Sequence, residues 1–162
     1  MCETIYFYRV EDAYGCFSNF SEYAIRLDGR DWPTVEHCFQ AQNCAGTIRE
    51  EVIRAARTPG EAAKLGRTKD GRLRGDWAAV KEVGMERAVM AKFEQHADVR
   101  TVLLGTGDAL LVEHTRNDRE WGDGGDGSGR NRLGQVLIGV RAALRERRSE
   151  GGPGESGPPS HS

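Results

Sequence analysis

A 16-residue stretch holding five glycines, Asn117 to Arg132, limits every fold open to this chain. It reads Asn-Asp-Arg-Glu-Trp-Gly-Asp-Gly-Gly-Asp-Gly-Ser-Gly-Arg-Asn-Arg, with three aspartates, three arginines and one tryptophan among the glycines. Helix and strand both resist that glycine density, because glycine loses the most backbone freedom on ordering. The stretch is therefore a loop, and an apolar helical pattern follows it at once. A polar, glycine-dense loop that enters a helix offers free N–H groups to anions and lets a ligand approach the main chain. It reads as the floor of a binding site, with Trp121, Gly122, Asp123 and Gly124 at its centre.

The rest of the chain has to build a scaffold for that loop. At 162 residues it is expected to form one domain with a real core. The net charge of −2 supplies no global basic field to recruit nucleic acid or an anionic membrane. A local cluster, Arg67, Lys69, Arg72 and Arg74, reads either as a solvated face or as a phosphate contact. Cys2, Cys16, Cys38 and Cys44 form no C-x-x-C pair, and the histidines are poorly spaced to complete a metal set, so reduced structural thiols and no metal are expected. The first residues lack a basic segment followed by an apolar one, and no run of 18 apolar residues follows. The expectation is a cytoplasmic chain that does not engage a membrane.

Patterning predicts a mainly helical α+β domain with a small antiparallel sheet. Residues 4–10 are aromatic and β-branched, as in a strand. Residues 23–27 and 30–32 flank Asp28-Gly29, a strong two-residue hairpin signal. Helices are expected over residues 35–45, capped by Thr34, and over 48–57, 60–66 and 98–104. The longest should run from Trp77 to Gln95 after Asp76. A short strand is expected at 110–113, and a last helix at 132–146 with Asn131 as its N-cap. Residues 1–148 would then be the domain. The glycine-, proline- and serine-rich residues 149–162 would be a disordered tail.

Gly122, Gly124 and Gly127 match G-x-G-x-x-G, yet the chain left after them has no room for the second strand of a dinucleotide-binding unit. Asp118, Asp123 and Asp126 are misspaced for a calcium loop. Glu36, in the first turn of its helix, is favoured as a carboxylate by the helix dipole, and Trp32, His37 and Gln40 surround it with groups suited to a planar heterocycle. Asp118 is a second candidate carboxylate. Phe17-Ser18-Asn19-Phe20 reads either as a base-stacking clip or as the hydrophobic anchor of a loop. Two carboxylates, stacking aromatics and an anion-binding loop suit cleavage of an N-glycosidic bond. Its oxocarbenium-like transition state is stabilised by negative charge while an acid protonates the departing base.

Five ordered blocks carry a family resemblance: FSNF, WPTVEHCFQAQ, DW with a following helix that ends in AKFEQH, LVEHTRND and WGDGGDGSGRNRLG. Over about residues 5–147 the chain resembles the NADAR family, and within it the YbiA-like members. The resemblance implies a compact, mainly helical α+β fold and N-glycosidase activity without metal or redox cofactor. YbiA-like proteins are associated with hydrolysing ribosylamine 5′-phosphate intermediates of early riboflavin biosynthesis, which removes reactive metabolites. Other members are linked to ADP-ribose chemistry, including its release from guanine in nucleic acid. The implied ligand is a small phosphorylated, nucleoside-like substrate, with ADP-ribosyl-guanine hydrolysis or non-catalytic ADP-ribose or NAD binding as alternatives. By motif, Glu36 and Asp118 would carry the chemistry, and Trp77 would stack on the base or shape the pocket. Asn19, Trp121, Gly122, Asn131 and Arg132 would shape the sugar-phosphate site. One position departs from the pattern. The family commonly places lysine after F-Q-A-Q, where it could form a Schiff base, and this chain has Asn43. If the family chemistry needs that amine, the chain either binds without efficient turnover or uses another group, and Lys92 in AKFEQH reads either as that substitute amine or as a surface lysine.

Overall fold

The computed structural model describes residues 3–67 and 76–156. Among them are six α-helices and two two-stranded sheets in one α+β domain. Strand β1 (Thr4–Phe7) alternates outward and inward, and sends Ile5 and Phe7 into the core. It is shorter than expected because a turn follows at once: Arg9 N donates to Asp12 Oδ2 at 2.9 Å, and Asp12 N returns to Arg9 O at 3.0 Å. Strands β2 (Ile25–Leu27) and β3 (Arg30–Trp32) form the expected antiparallel hairpin. Asp28 and Gly29 both take positive φ, 54° and 80°, the pairing that a type I′ turn requires.

Helix α1 (Val35–Gln42) begins at Thr34, whose hydroxyl accepts from His37 N at 3.1 Å. It stops short of residue 45 because its last bonds tighten to three-residue spacing, Cys44 N to Ala41 O and Ala45 N to Gln42 O. Helices α2 (Ile48–Arg54) and α3 (Pro59–Arg67) follow, the latter opened by proline at its first position. Helix α4 (Trp77–Gln95) crosses the centre of the molecule and buries Met85, Ala88, Val89 and Phe93. Helix α5 (Ala97–Gly105) then leads to strand β4 (Leu110–Glu113).

The pairing that organises the fold is β1 with β4, parallel, with Ile5 opposite Leu111 and Phe7 opposite Glu113. Local patterning identified both segments as strands without linking them, since a parallel pair requires a long crossover. Here the crossover runs from residue 8 to residue 109 and contains five of the six described helices. Helix α6 (Arg132–Ser156) packs on β4 so closely that a Cβ at Gly134 would lie 1.9 Å from Leu111 O. The helix continues past the expected end at 146, and the good helix formers Arg145 to Arg148 favour that continuation as far as Gly151; local propensity does not explain the last turn to Ser156. Arg145 also bonds Asp108, and Arg147 bonds Glu94.

Asn131 does not act as the side-chain N-cap expected of it. Its φ is 52°, and its amide turns back to β4, accepting from Glu113 N at 3.0 Å and donating to Leu111 O at 2.9 Å. It therefore mimics one more strand residue and ties the end of the glycine loop to the sheet.

Lys92 is a core residue. Its Nζ donates to Cys16 O, to Ser18 O at 3.0 Å and to Ser21 Oγ at 2.9 Å, and lies over the Phe93 and Tyr23 rings. Burial pushes its pKa down to about 7, whereas three surrounding oxygens are the complement of an ammonium. Lys92→Met, which keeps the chain length and removes the donor, should lower unfolding stability by about 2 kcal/mol in denaturant titration. An unchanged midpoint would mean that the 16–21 loop does not need this tether.

Candidate active site

A cleft of about 220 Å³ opens where α1, β4 and the glycine loop meet. Four carboxylates line it: Glu36, Glu113 and Asp118, which face one another without a lysine or arginine ion pair among the described residues, and Glu120, which is paired with Lys81 and Arg132. Glu36 is placed by the first turn of α1 and is 7% exposed. Its side chain accepts from Gln40 Nε2 at 2.8 Å, one helical turn on, while its backbone N–H donates to Asn19 O at 3.2 Å. Burial raises its pKa. The Gln40 bond and Arg67 oppose that shift, and Asp118 adds to it.

Glu113 ends β4, with its backbone clamped by Asn131 Oδ1 on one side and by Asp123 N on the other. Burial pushes its carboxyl up to about 8, with further contributions from the charges of Asp118, Glu36 and Asp123. At neutral pH it is therefore mostly protonated. Asp118 is fixed by an Asx turn in which its Oδ1 accepts from Glu120 N at 2.9 Å and Trp121 N at 2.8 Å. Glu36, at the start of a helix, and Asp118, on a loop more than 80 positions later, are thus brought into one cleft.

The remaining walls combine polar and aromatic groups. Asn19 and Phe20 come from the loop before β2, Phe39 and Gln40 from α1, Met85 from α4, and Trp121 from the glycine loop. Arg67, at the end of α3, supplies a cation. The other members of its predicted cluster, Lys69, Arg72 and Arg74, lie outside the described residues. Phe39 touches both Trp121, edge-on at 5.4 Å, and Trp77, tilted at 5.3 Å. Trp77 therefore reaches the site through Phe39 rather than by lining its described wall.

Several sequence candidates occupy supporting positions. Phe17 is 1% exposed and packs against Phe7 and Phe93, so of the two readings of its segment it takes the anchoring one. Ser18 Oγ accepts from Phe20 N at 3.1 Å, which shapes the turn that presents Asn19 and Phe20. Gly122 has Thr115, Asp118 O and Glu113 O so near that a Cβ would meet them within 2.9 Å. Gly124 has φ 76°. Asp123 is buried beneath the loop, where His114 Nδ1 lies 2.8 Å from one oxygen while Thr115 N and Gly125 N donate to the other. Burial acts to raise its pKa, but these bonds outweigh it and hold Asp123 low.

Arg132 bridges Glu120 and Glu82 and lies over the Trp121 ring at 5.5 Å, bracing the site from behind. Lys92, enclosed by three oxygens, does not line the cleft. Asn43 is buried at the C-terminal end of α1. His37 is fully buried between Thr34 Oγ1 and Ala56 O, and burial lowers its pKa. Trp32 is likewise core, 4% exposed.

Glu113 was missed by sequence reasoning. The available signal was a carboxylate closing the apolar run Leu-Leu-Val immediately before a loop read as functional, a place where strand ends commonly present chemistry.

The NADAR domain model matches residues 6–145. The chain is 51% identical over 140 residues to the N-glycosidase YbiA of Escherichia coli, a match covering 86% of this chain and 88% of that protein. It is 50% identical over 145 residues to an N-glycosidase of Nostoc punctiforme, covering 88% and 93% respectively. A riboflavin biosynthesis protein of Vibrio vulnificus is 38% identical over 146 residues, which are 90% of this chain and 40% of that longer one. The NMR structure of Escherichia coli YbiA superposes with a TM-score of 0.86 at 49% identity, over 93% of this chain and 90% of that one. With its sequence matched almost end to end and its fold shared with a solved relative, the chain belongs to the NADAR family.

Proposed function

We propose that this chain is an N-glycosidase that hydrolyses the C–N bond of a ribosylamine 5′-phosphate of the kind formed early in riboflavin biosynthesis. The observation that carries the reading is the convergence of Glu36, Glu113 and Asp118 in one cleft. Carboxylates of like charge are held together at an energetic disadvantage unless positive charge arrives between them, and an oxocarbenium-like sugar supplies that charge in the transition state. Relatives named as N-glycosidases and as riboflavin biosynthesis proteins support the bond type and the metabolic setting.

In this reading Glu36 and Asp118 flank the anomeric carbon. One stabilises the developing cation while the other accepts a proton from the attacking water. Gln40 holds the Glu36 carboxyl in place by its hydrogen bond. Arg67 is the described cation on the cleft and is the contact for the substrate phosphate. The C–N electron pair moves onto nitrogen, which takes up one proton and leaves as the neutral amine, while the water oxygen joins the sugar carbon and gives its proton to the carboxylate. No amine nucleophile is assigned: Asn43 carries none, and Lys92 Nζ is taken up by three oxygens.

Incubation with ribosylaminouracil 5′-phosphate should release the free aminopyrimidine, and ADP-ribosylated guanosine should be a poorer substrate. Release from the guanosine conjugate alone, or from neither, would contradict the assignment. Glu36→Gln should reduce kcat/KM by roughly 10²- to 10⁴-fold while leaving the thermal midpoint within a few degrees. A fully active variant would remove Glu36 from the chemistry. Borohydride added during turnover should trap no sugar adduct on the protein by mass spectrometry, and a trapped lysine adduct would replace this route with a Schiff base.

A further inference from the structure

Beside the carboxylate cleft lies a second, larger cavity of about 790 Å³. The two share Phe20 and Glu113 as lining residues, so they are neighbouring lobes with those two residues between them. Their walls differ. The small lobe carries Glu36, Asp118, Gln40 and Arg67, a set suited to a polar, anionic fragment. The large lobe is walled by Tyr8, Val10, Phe20 and Tyr23. Three of these are large apolar side chains left open to solvent, with Tyr8 40%, Val10 48% and Phe20 38% exposed. Aromatic faces gathered at an open cavity suit a flat ring that stacks, and Arg9, Glu11 and Glu22 on the same lobe suit the amino and oxo groups at its edge.

An N-glycosidase has to hold two unlike fragments on either side of one bond. We infer that the large lobe holds the departing heteroaromatic base and that Glu113, at the junction of the lobes, donates the proton that the base takes as it leaves. The inference rests on the N-glycosidase reading and adds a leaving-group subsite and a proton donor to it. The Glu113 O–H donates to the base nitrogen as the C–N electron pair moves onto that nitrogen. Water then bonds to the sugar carbon, and its proton goes to Glu36 or Asp118. Protonation of Glu113 at neutral pH fits this duty, since an acid must carry its proton when the substrate binds.

Two sets of variants test it on the full chain. Tyr8→Ala and Val10→Asp alter exposed side chains of the large lobe. Each should weaken binding of free aminouracil by about tenfold or more and leave binding of ribose 5-phosphate unchanged, whereas Arg67→Ala should do the reverse. Unchanged aminouracil binding in both lobe variants would overturn the subsite.

For the proton donor, Glu113→Gln should slow ribosylaminouracil phosphate hydrolysis by about 10²- to 10⁴-fold but slow a nitrophenyl riboside 5-phosphate, whose leaving group needs no proton, by less than about tenfold. The alkaline fall of kcat/KM near pH 8, where the acid loses its proton, should disappear in this variant. Equal slowing on both substrates, with ribose 5-phosphate binding retained, would overturn the role of Glu113 and leave the N-glycosidase reading standing. Wild-type protein inert toward both substrates would overturn that reading itself.

Discussion

Three carboxylates that repel one another share a cleft because each is anchored by bonds that do not depend on the other two. Glu36 is set by the capped start of α1, where Thr34 and His37 lock the first turn. Glu113 is set by the parallel register of β4 on β1, and Asp118 by its own Asx turn. The repulsion appears instead in protonation. Burial and neighbouring negative charges lift Glu113 to about 8 and lift Glu36 as well. In stability terms, the raised Glu113 carboxyl favours the fold fully below its ordinary value of 4.5, and that advantage is lost from there up to about 8, the range in which the unfolded chain ionises and the fold keeps its proton. A site of this kind is assembled against local electrostatic preference, as sites built for charged transition states commonly are.

The glycine loop is itself a small hydrogen-bonded structure. Asp123 gathers Thr115, Gly125 and His114, while Asn131 stitches the loop end to β4. On the proposed function this rigidity matters, because Asp118 and Trp121 line the cleft from this loop and the proposed chemistry needs its groups held to within a fraction of an ångström. The same economy serves the Asn19-Phe20 turn, held from below by Lys92.

Local chemistry was legible wherever a feature depends on neighbours in sequence. The Asp28-Gly29 turn, the Thr34 cap and the α4 boundaries follow from backbone preference, capping and helical period. So did the α+β class and the convergence of Glu36 with Asp118, the latter through family motifs rather than spacing. What depends on distant partners was not legible. The β1–β4 pairing joins residues more than 100 positions apart, and Asn131 bonds to residues about 20 positions back, so neither leaves a local mark. Phe17 and Lys92 show the same limit. A phenylalanine beside an asparagine and a lysine on a long helix look like site residues, and only packing shows one in the core and the other bound to three oxygens. Glu113 looked like the polar end of a strand until the fold set it against two other carboxylates.

Glu36, Glu113 and Asp118 are coupled electrostatically across the cleft, and Glu113 keeps its proton at neutral pH. Carboxyl-carbon NMR titration of the full chain, with each signal assigned by its Gln or Asn variant, measures this directly. The Glu113 signal should titrate near pH 8 and shift downward when Asp118 is replaced by asparagine. A Glu113 signal that titrates in the ordinary carboxylate range of about 4 and is indifferent to the loss of Asp118 would contradict this coupling.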